Sequence, residues 1–188
     1  MSGHLIVISA PSGAGKTTVV NAMLARFPDL ALSVSYTTRP PRRGEQEGVH
    51  YYFVDQPTFD RMIADGAFIE WARVHDHAYG TPRAPIVRWR RAGRDVILDV
   101  DVQGAAAIKA DDPTATLIFL APPSLAVLAQ RLQQRGTDAP ETIERRLRHA
   151  AGELAAQAQY DIVLVNDALD ETCRQVADVI VACRRGES

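Results

Sequence analysis

The apolar run Leu5-Ile6-Val7-Ile8 leads into a turn of small residues, Ala10-Pro11-Ser12-Gly13-Ala14-Gly15-Lys16-Thr17-Thr18, and no other stretch narrows the possible folds so sharply. A buried strand, a glycine-rich turn and then a helix make a P-loop, in which backbone N–H groups wrap a phosphate at a helix N-terminus. Lys16 then reaches the β- and γ-phosphates and Thr17 offers its hydroxyl to Mg²⁺. Ala10 stands where the G-x-x-x-x-G-K-[ST] pattern has its first glycine, while Gly13, Gly15, Lys16 and Thr17 stay in register. The competing reading is a chance glycine- and serine-rich turn with a solvated lysine. Lys16 and Lys109 are the only lysines in a chain whose cations are otherwise arginine, which makes a lysine at the loop position informative. The same bias means that an arginine here is not functional merely by being present.

After the loop, Val20, Met23, Leu24 and Phe27 fall at helical spacing until Pro28 and Asp29 stop the stripe. Short alternating runs follow, Ser33-Val34-Ser35-Tyr36-Thr37 and His50-Tyr51-Tyr52-Phe53-Val54, split by an arginine- and proline-rich turn. Pro57 to Gly66 reads as a short helix, Phe68 to Val74 as a strand and Tyr79-Gly80-Thr81-Pro82 as a turn. From Ala84 the chain returns to the main body through a helix ending near Gly93. Asp95–Asp101, Thr116–Leu120 and Ile162–Val165 have the β-branched, apolar character of strands buried on both faces of a parallel sheet. Strands alternating with helices predict a parallel α/β sheet flanked by helices.

A length of 188 residues, 46% of them hydrophobic, is enough for one compact domain with a core. The net charge of −2 supplies no general attraction to nucleic acid or to an acidic membrane, so anion recognition must be local. Cys173 and Cys183 fall in one predicted helix, where ten residues of rise hold them about 15 Å apart, too far for a disulfide. Met1-Ser2-Gly3-His4 leads into a strand without a basic leader, and no apolar run approaches the length of a membrane span, so a cytoplasmic protein is expected.

Beyond the loop, three stretches carry candidate chemistry. Asp99-Val100-Asp101-Val102-Gln103-Gly104 ends an apolar strand, at the end of an open α/β sheet where ligands gather, and its carboxylates share a face by the two-residue period. Ser35 to Glu45 mixes hydroxyls with Arg39, Arg42 and Arg43, a composition suited to a second phosphate and equally to a charged exposed turn. Arg131, Arg135, Arg145, Arg146 and Arg148 lie in a charged segment that fits either an arginine-bearing lid or a solvated amphipathic helix.

Together these stretches resemble guanylate kinase, a P-loop nucleoside monophosphate kinase family, over nearly the whole chain. The resemblance rests on Ser12–Thr17, on Ser33–Arg42 with Gly44-Glu45, Gly48 and Tyr51–Val54, and on Phe68-Ile69-Glu70-Trp71-Ala72. It continues through Tyr79-Gly80-Thr81, Asp99–Gly104, Arg135-Gly136 with Arg145-Arg146-Leu147, and Val165-Asn166-Asp167. It implies a P-loop NTPase-type α/β core at residues 1–32, 83–124 and 156–188, a small β-containing NMP-binding lobe at 33–82 and a helical lid at 125–155. The implied reaction is Mg²⁺-dependent transfer of the ATP γ-phosphate to GMP, with ATP and GMP as partners and neither nucleic acid nor membrane. Ser35, Arg39, Arg42 and Tyr51 are implied to hold the GMP phosphate, Glu70, Thr81 and Asp101 to read the guanine edge, and Tyr79 to complete that lobe. Asp99 joins this set and reaches the metal through water, with Thr17 the direct Mg²⁺ ligand. ATP is implied to lie on Ala10–Thr18, with Asn166 at the adenine, and Lys16, Arg131, Arg135 and Arg146 to serve the transferring phosphoryl. The chain departs from the family at Ala10 and at Ala78, where a second aromatic often precedes the tyrosine. Two alternatives share the scaffold: a kinase of another phosphorylated small molecule such as a ribose bisphosphate, and a non-catalytic guanylate-kinase-like binding module. Glu70 and Thr81 argue against the first, and Lys16, Thr17, Arg135 and Arg146 against the second.

Overall fold

The computed structural model describes residues 2–42, 44–74, 76–134 and 140–186. β1 (Leu5–Ser9) passes through the loop into α1 (Lys16–Arg26), whose Val19, Val20 and Met23 are buried, and β2 (Ala31–Leu32) follows. A second group contains β3 (Tyr36–Thr37), β4 (Tyr52–Phe53), α2 (Gln56–Ala64), β5 (Phe68–Val74) and β6 (His77–Pro82). α3 (Arg83–Arg91) then carries the chain back to β7 (Val96–Asp99), α4 (Val102–Asp111) and β8 (Thr116–Ala121). α5 (Leu125–Gln134), α6 (Pro140–Ala155), β9 (Ile162–Val165) and α7 (Leu169–Arg185) complete the order.

The main sheet has the order β2-β7-β1-β8-β9 and its pairs are parallel, with Leu5 opposite Val96 and Ile6 opposite Thr116. Alternate residues feed opposite layers, as a strand period of two requires. Ile6, Ile8, Ile97 and Ile118 pack with Val20, Met23, Val176 and Ile180 on one side. Leu5, Val7, Val96 and Leu98 pack with Ile86 and Ile108 on the other. Because β1 is central, the glycine-rich turn leaves the sheet at its middle, at the carboxyl end where open α/β folds bind ligands.

The second sheet, β4-β3-β6-β5, is mixed, with β6 antiparallel to both neighbours. It has its own small core of Phe59, Phe68 and Ala78, in which the Phe59 and Phe68 rings stack at 4.7 Å. Ala78 is 1% exposed, so the position with no aromatic side chain is filled by its neighbours.

The residues read as a turn, Tyr79-Gly80-Thr81-Pro82, lie in β6; Gly80 marks the close passage of the Phe68 ring, whose Cδ1 would stand 2.8 Å from an added Cβ. The 33–37 and 50–54 runs contract to two-residue strands, and the two-residue β2 was too short to show a period. The strand read through Asp101 stops at Asp99, because Asp101 turns to cap α4. β9 is an edge strand rather than one buried on both faces, which leaves Val163 and Val165 43% and 55% exposed. Cys173 and Cys183 both lie on α7 as free thiols.

Candidate active site

A cavity of about 920 Å³ opens between the glycine-rich turn and the second sheet. On the turn side, Gly13 and Gly15 adopt φ of +96° and +94°, a region where a side chain is strained. They are also needed for space: an added Cβ at Gly13 would lie 2.8 Å from Leu132 Cδ2, and one at Gly15 2.6 Å from Asn166 Nδ2. Gly15 caps α1, so the loop and the helix N-terminus form one concave array of N–H groups. Ala10, Pro11, Ser12, Thr17 and Thr18 line the cavity, whereas Ala14 is buried beneath it. Lys16 Nζ forms an ion pair with Asp99 and donates to the Val100 carbonyl at 2.9 Å, so the β7 end holds the lysine in the cavity.

Of two residues expected at the ATP, Asn166 holds the loop from outside and Arg131 holds the backbone of Asn166. Asn166, 5% exposed, donates from Nδ2 to the Ala14 carbonyl at 2.6 Å. Arg131 donates from Nη1 to the Asn166 carbonyl at 3.0 Å and from Nη2 to the Asp167 carbonyl at 3.4 Å. Neither lines the cavity, while Arg146 of α6 does. Arg135 lies outside the described residues.

On the opposite wall stand Ser35, Arg42, Tyr51, Glu70 and Tyr79. Arg39 is buried behind them, its two terminal nitrogens each donating at 2.9 Å to the Glu45 carboxylate, with the Tyr51 ring 5.4 Å from its guanidinium carbon. The Arg39 hydrogen bonds hold the Glu45 carboxyl below its usual range, and the same pairing raises the guanidinium. Glu45 also accepts the Arg42 backbone N–H at 2.7 Å. A second polar chain runs from Ser35 Oγ, 3.4 Å from Thr81 Oγ1, through the buried Thr81 hydroxyl, which donates to Glu70 Oε1. Burial, with the Asp101 charge adding to it, pushes the Glu70 carboxyl above the usual glutamate range. Asp101 lines the same cavity and accepts the Gly104 N–H at 2.8 Å as the α4 N-cap. Burial also raises the Tyr51 phenol, whose ring meets Tyr79 edge-on at 5.9 Å.

The structure adds residues to which the sequence assigned no role. Glu45 organises Arg39 and Arg42. Glu153 of α6 lines the cavity two helical turns after Arg146, its carboxyl raised above the usual range by burial first and the Asp101 charge second. The seven-residue spacing of Arg146 and Glu153 was the available signal, since it puts both on one helix face. Among the described residues no cluster of three or more His, Cys, Asp or Glu side chains could hold a metal ion. Among the hard oxygen donors that line the cavity are the Thr17 hydroxyl and the Asp99 carboxylate, the latter paired with Lys16. No described helix is long and apolar enough to cross a membrane.

The cavity thus sets a backbone anion cradle with a lysine against a wall of arginine, tyrosine and paired carboxylates. Residues 2–183 match the guanylate kinase family model. The guanylate kinase of Thermobifida fusca (strain YX) is 49% identical over 179 residues, covering 95% of this chain and 91% of that one. That of Sphingopyxis alaskensis is 50% identical, covering 97% and 83%. The crystal structure of guanylate kinase from Anaplasma phagocytophilum superposes with a TM-score of 0.80 at 34% identity, covering 96% of this chain and 86% of that one.

Proposed function

The chain belongs to the guanylate kinase family and is an ATP:GMP phosphotransferase, and from that premise we propose how its residues divide the work between two nucleotides. The division rests on one observation: a single cavity receives the glycine-rich loop on one side and Glu70, Asp101, Tyr51 and Arg42 on the other. Neither a kinase of another phosphorylated small molecule nor a non-catalytic binding module is favoured.

In this reading the N–H groups of Gly13 and of Gly15 to Thr17, with the Lys16 ammonium, hold the ATP β- and γ-phosphates. Ser35, Arg39, Arg42 and Tyr51 hold the GMP phosphate, with Tyr79 closing the wall behind it. A bidentate guanidinium matches phosphate geometry, and Glu45 keeps that of Arg39 oriented until the phosphate arrives. Glu70 and Asp101 accept from guanine N1–H and the 2-amino group, with Thr81 fixing the Glu70 carboxylate. Adenine carries no matching donors there, and leaving buried acceptors unpaired costs about 1–3 kcal/mol each, more for charged groups. Residues 33–82 act as the NMP-binding lobe and 125–155 as the lid, with Arg146 serving the transferring phosphoryl. Arg131 and Asn166 support the loop at the adenine end.

We propose Mg²⁺ as the cofactor. A hydroxyl and a single carboxylate suit an ion that keeps most of its ligands as phosphate oxygens and water, and Thr17 would hold it directly and Asp99 through water. When bound, it neutralises charge developing on the phosphate oxygens. No covalent enzyme intermediate is needed, since positioning and charge stabilisation supply the catalysis. With no general attraction to nucleic acid or membrane, the enzyme serves purine nucleotide metabolism in the cytoplasm. A coupled ADP-release assay with each nucleoside monophosphate tests the base assignment: turnover of GMP alone is expected, and equal turnover of AMP, CMP or UMP would remove the roles given to Glu70 and Asp101.

A further inference from the structure

Gly104 is the third residue of α4, inside a helix where glycine is about 1 kcal/mol worse than alanine. Its φ is not among the positive ones, so the backbone does not call for glycine. Space does. A Cβ at this position would lie 3.0 Å from Glu70 Oε2, 3.2 Å from Glu70 Cδ and 3.2 Å from Val100 Cβ. The Glu70 carboxylate therefore rests against the bare backbone of the first turn of α4, a turn whose N-cap is Asp101. It has little freedom to retreat, because its other oxygen, Oε1, takes the hydrogen bond of the buried Thr81 hydroxyl.

We propose that Gly104 is a specificity-determining positioning residue for the acceptor nucleotide: the missing side chain lets a carboxylate from the second sheet and one from the N-cap of α4 converge on a single purine edge. Glu70 arrives on β5 and Asp101 at the start of α4, and the absence of a Cβ at Gly104 lets the two elements approach this closely without displacing the Glu70 carboxylate. The inference rests on the guanine-reading roles of Glu70 and Asp101 proposed above. Gly104→Ala pushes the Glu70 carboxylate by a few tenths of an ångström, out of line with its donors on the base. The backbone amide of residue 104 still caps on Asp101, and alanine is the better helix former.

The test is steady-state kinetics on Gly104→Ala, Glu70→Gln, Glu70→Asp and the double variant Gly104→Ala/Glu70→Asp, each with GMP and with IMP, which lacks the 2-amino group. For Gly104→Ala a rise in the GMP KM of about tenfold is expected, the size of one impaired charged hydrogen bond. The ATP KM and the thermal midpoint should hold, and the preference for GMP over IMP should narrow. Shortening the acid restores room, so the double variant should show a lower GMP KM than the product of the two single effects. An unchanged GMP KM in Gly104→Ala, beside a raised one in Glu70→Gln, overturns the inference and leaves the guanine-reading role standing. An unchanged GMP KM in Glu70→Gln overturns that role, and the inference with it. A parallel rise in both KM values with a fall in thermal midpoint makes Gly104 a general packing residue and overturns the proposal.

Discussion

The two walls of the cavity are built by different means. The loop between β1 and α1 presents backbone N–H groups, and it is shaped by a buried central strand, two positive-φ glycines and the Asn166 and Arg131 props behind it. The second sheet presents side chains, ordered in pairs by the Arg39–Glu45 and Thr81–Glu70 contacts. A backbone cradle reads charge and geometry, which triphosphates share; a side-chain wall can also read the edge of a base. On the proposed division the loop is the donor wall, built for strength, and the second sheet the acceptor wall, built for choice, so substitutions on the two should fail differently.

Lys16→Ala is the severest break on the donor side. Turnover should fall about a thousandfold or more, the scale of losing a charge aimed at a transferring phosphoryl, while circular dichroism shows the fold retained. Near-normal turnover would refute the donor role of the loop. Arg39→Ala should act on the other wall alone, raising the GMP KM about a hundredfold at an unchanged ATP KM. It also leaves the Glu45 carboxylate, 17% exposed, without its ion-pair partner, so the thermal midpoint should drop.

Glu70→Gln is expected to cost about tenfold in the GMP KM, and its pH dependence sharpens the contrast. Burial raises the Glu70 pKa, so the carboxylate is protonated at a pH above the ordinary glutamate range, and a neutral carboxyl no longer accepts from both guanine donors. The GMP KM should rise as pH falls through that raised value and be flat above it. The ratio of wild-type to Glu70→Gln KM cancels the titration of the GMP phosphate and isolates the inflection, while the ATP KM shows none from this source. The smallest effect belongs to Asn166→Ala, which removes the side-chain prop from the Ala14 carbonyl. A rise of about fivefold in the ATP KM with the GMP KM unchanged is expected from one lost hydrogen bond; a matching change in the GMP KM would show that the walls are not separable.

The donor wall was the more legible in the sequence because its signal is local. A strand, a glycine-rich turn and a helix occupy consecutive residues, and the positions of Gly13, Gly15, Lys16 and Thr17 state the geometry directly. The apolar runs of β1, β7 and β8 likewise announced a sheet buried on both faces, because a strand covered by helices on two sides must be apolar at every position. The acceptor wall lacked such cues. Its strands β3 and β4 are two residues long, and glycine and proline disguised β6 as a turn. It became readable through resemblance, by particular residues such as Arg39, Arg42, Glu70 and Asp101, and not through periodicity.

By itself the sequence determined a central parallel sheet, a phosphate cradle at the end of its first strand and the residue types of a second anion site, each written in contiguous stretches. Tertiary structure decided which partners those residues keep: Lys16 on Asp99, Arg39 on Glu45, Asn166 under the loop, and Glu70 against the bare turn at Gly104. Those pairings join residues from 6 to 152 positions apart. No local pattern encodes them, because whether a carboxylate finds an arginine or a missing Cβ depends on how separate elements pack.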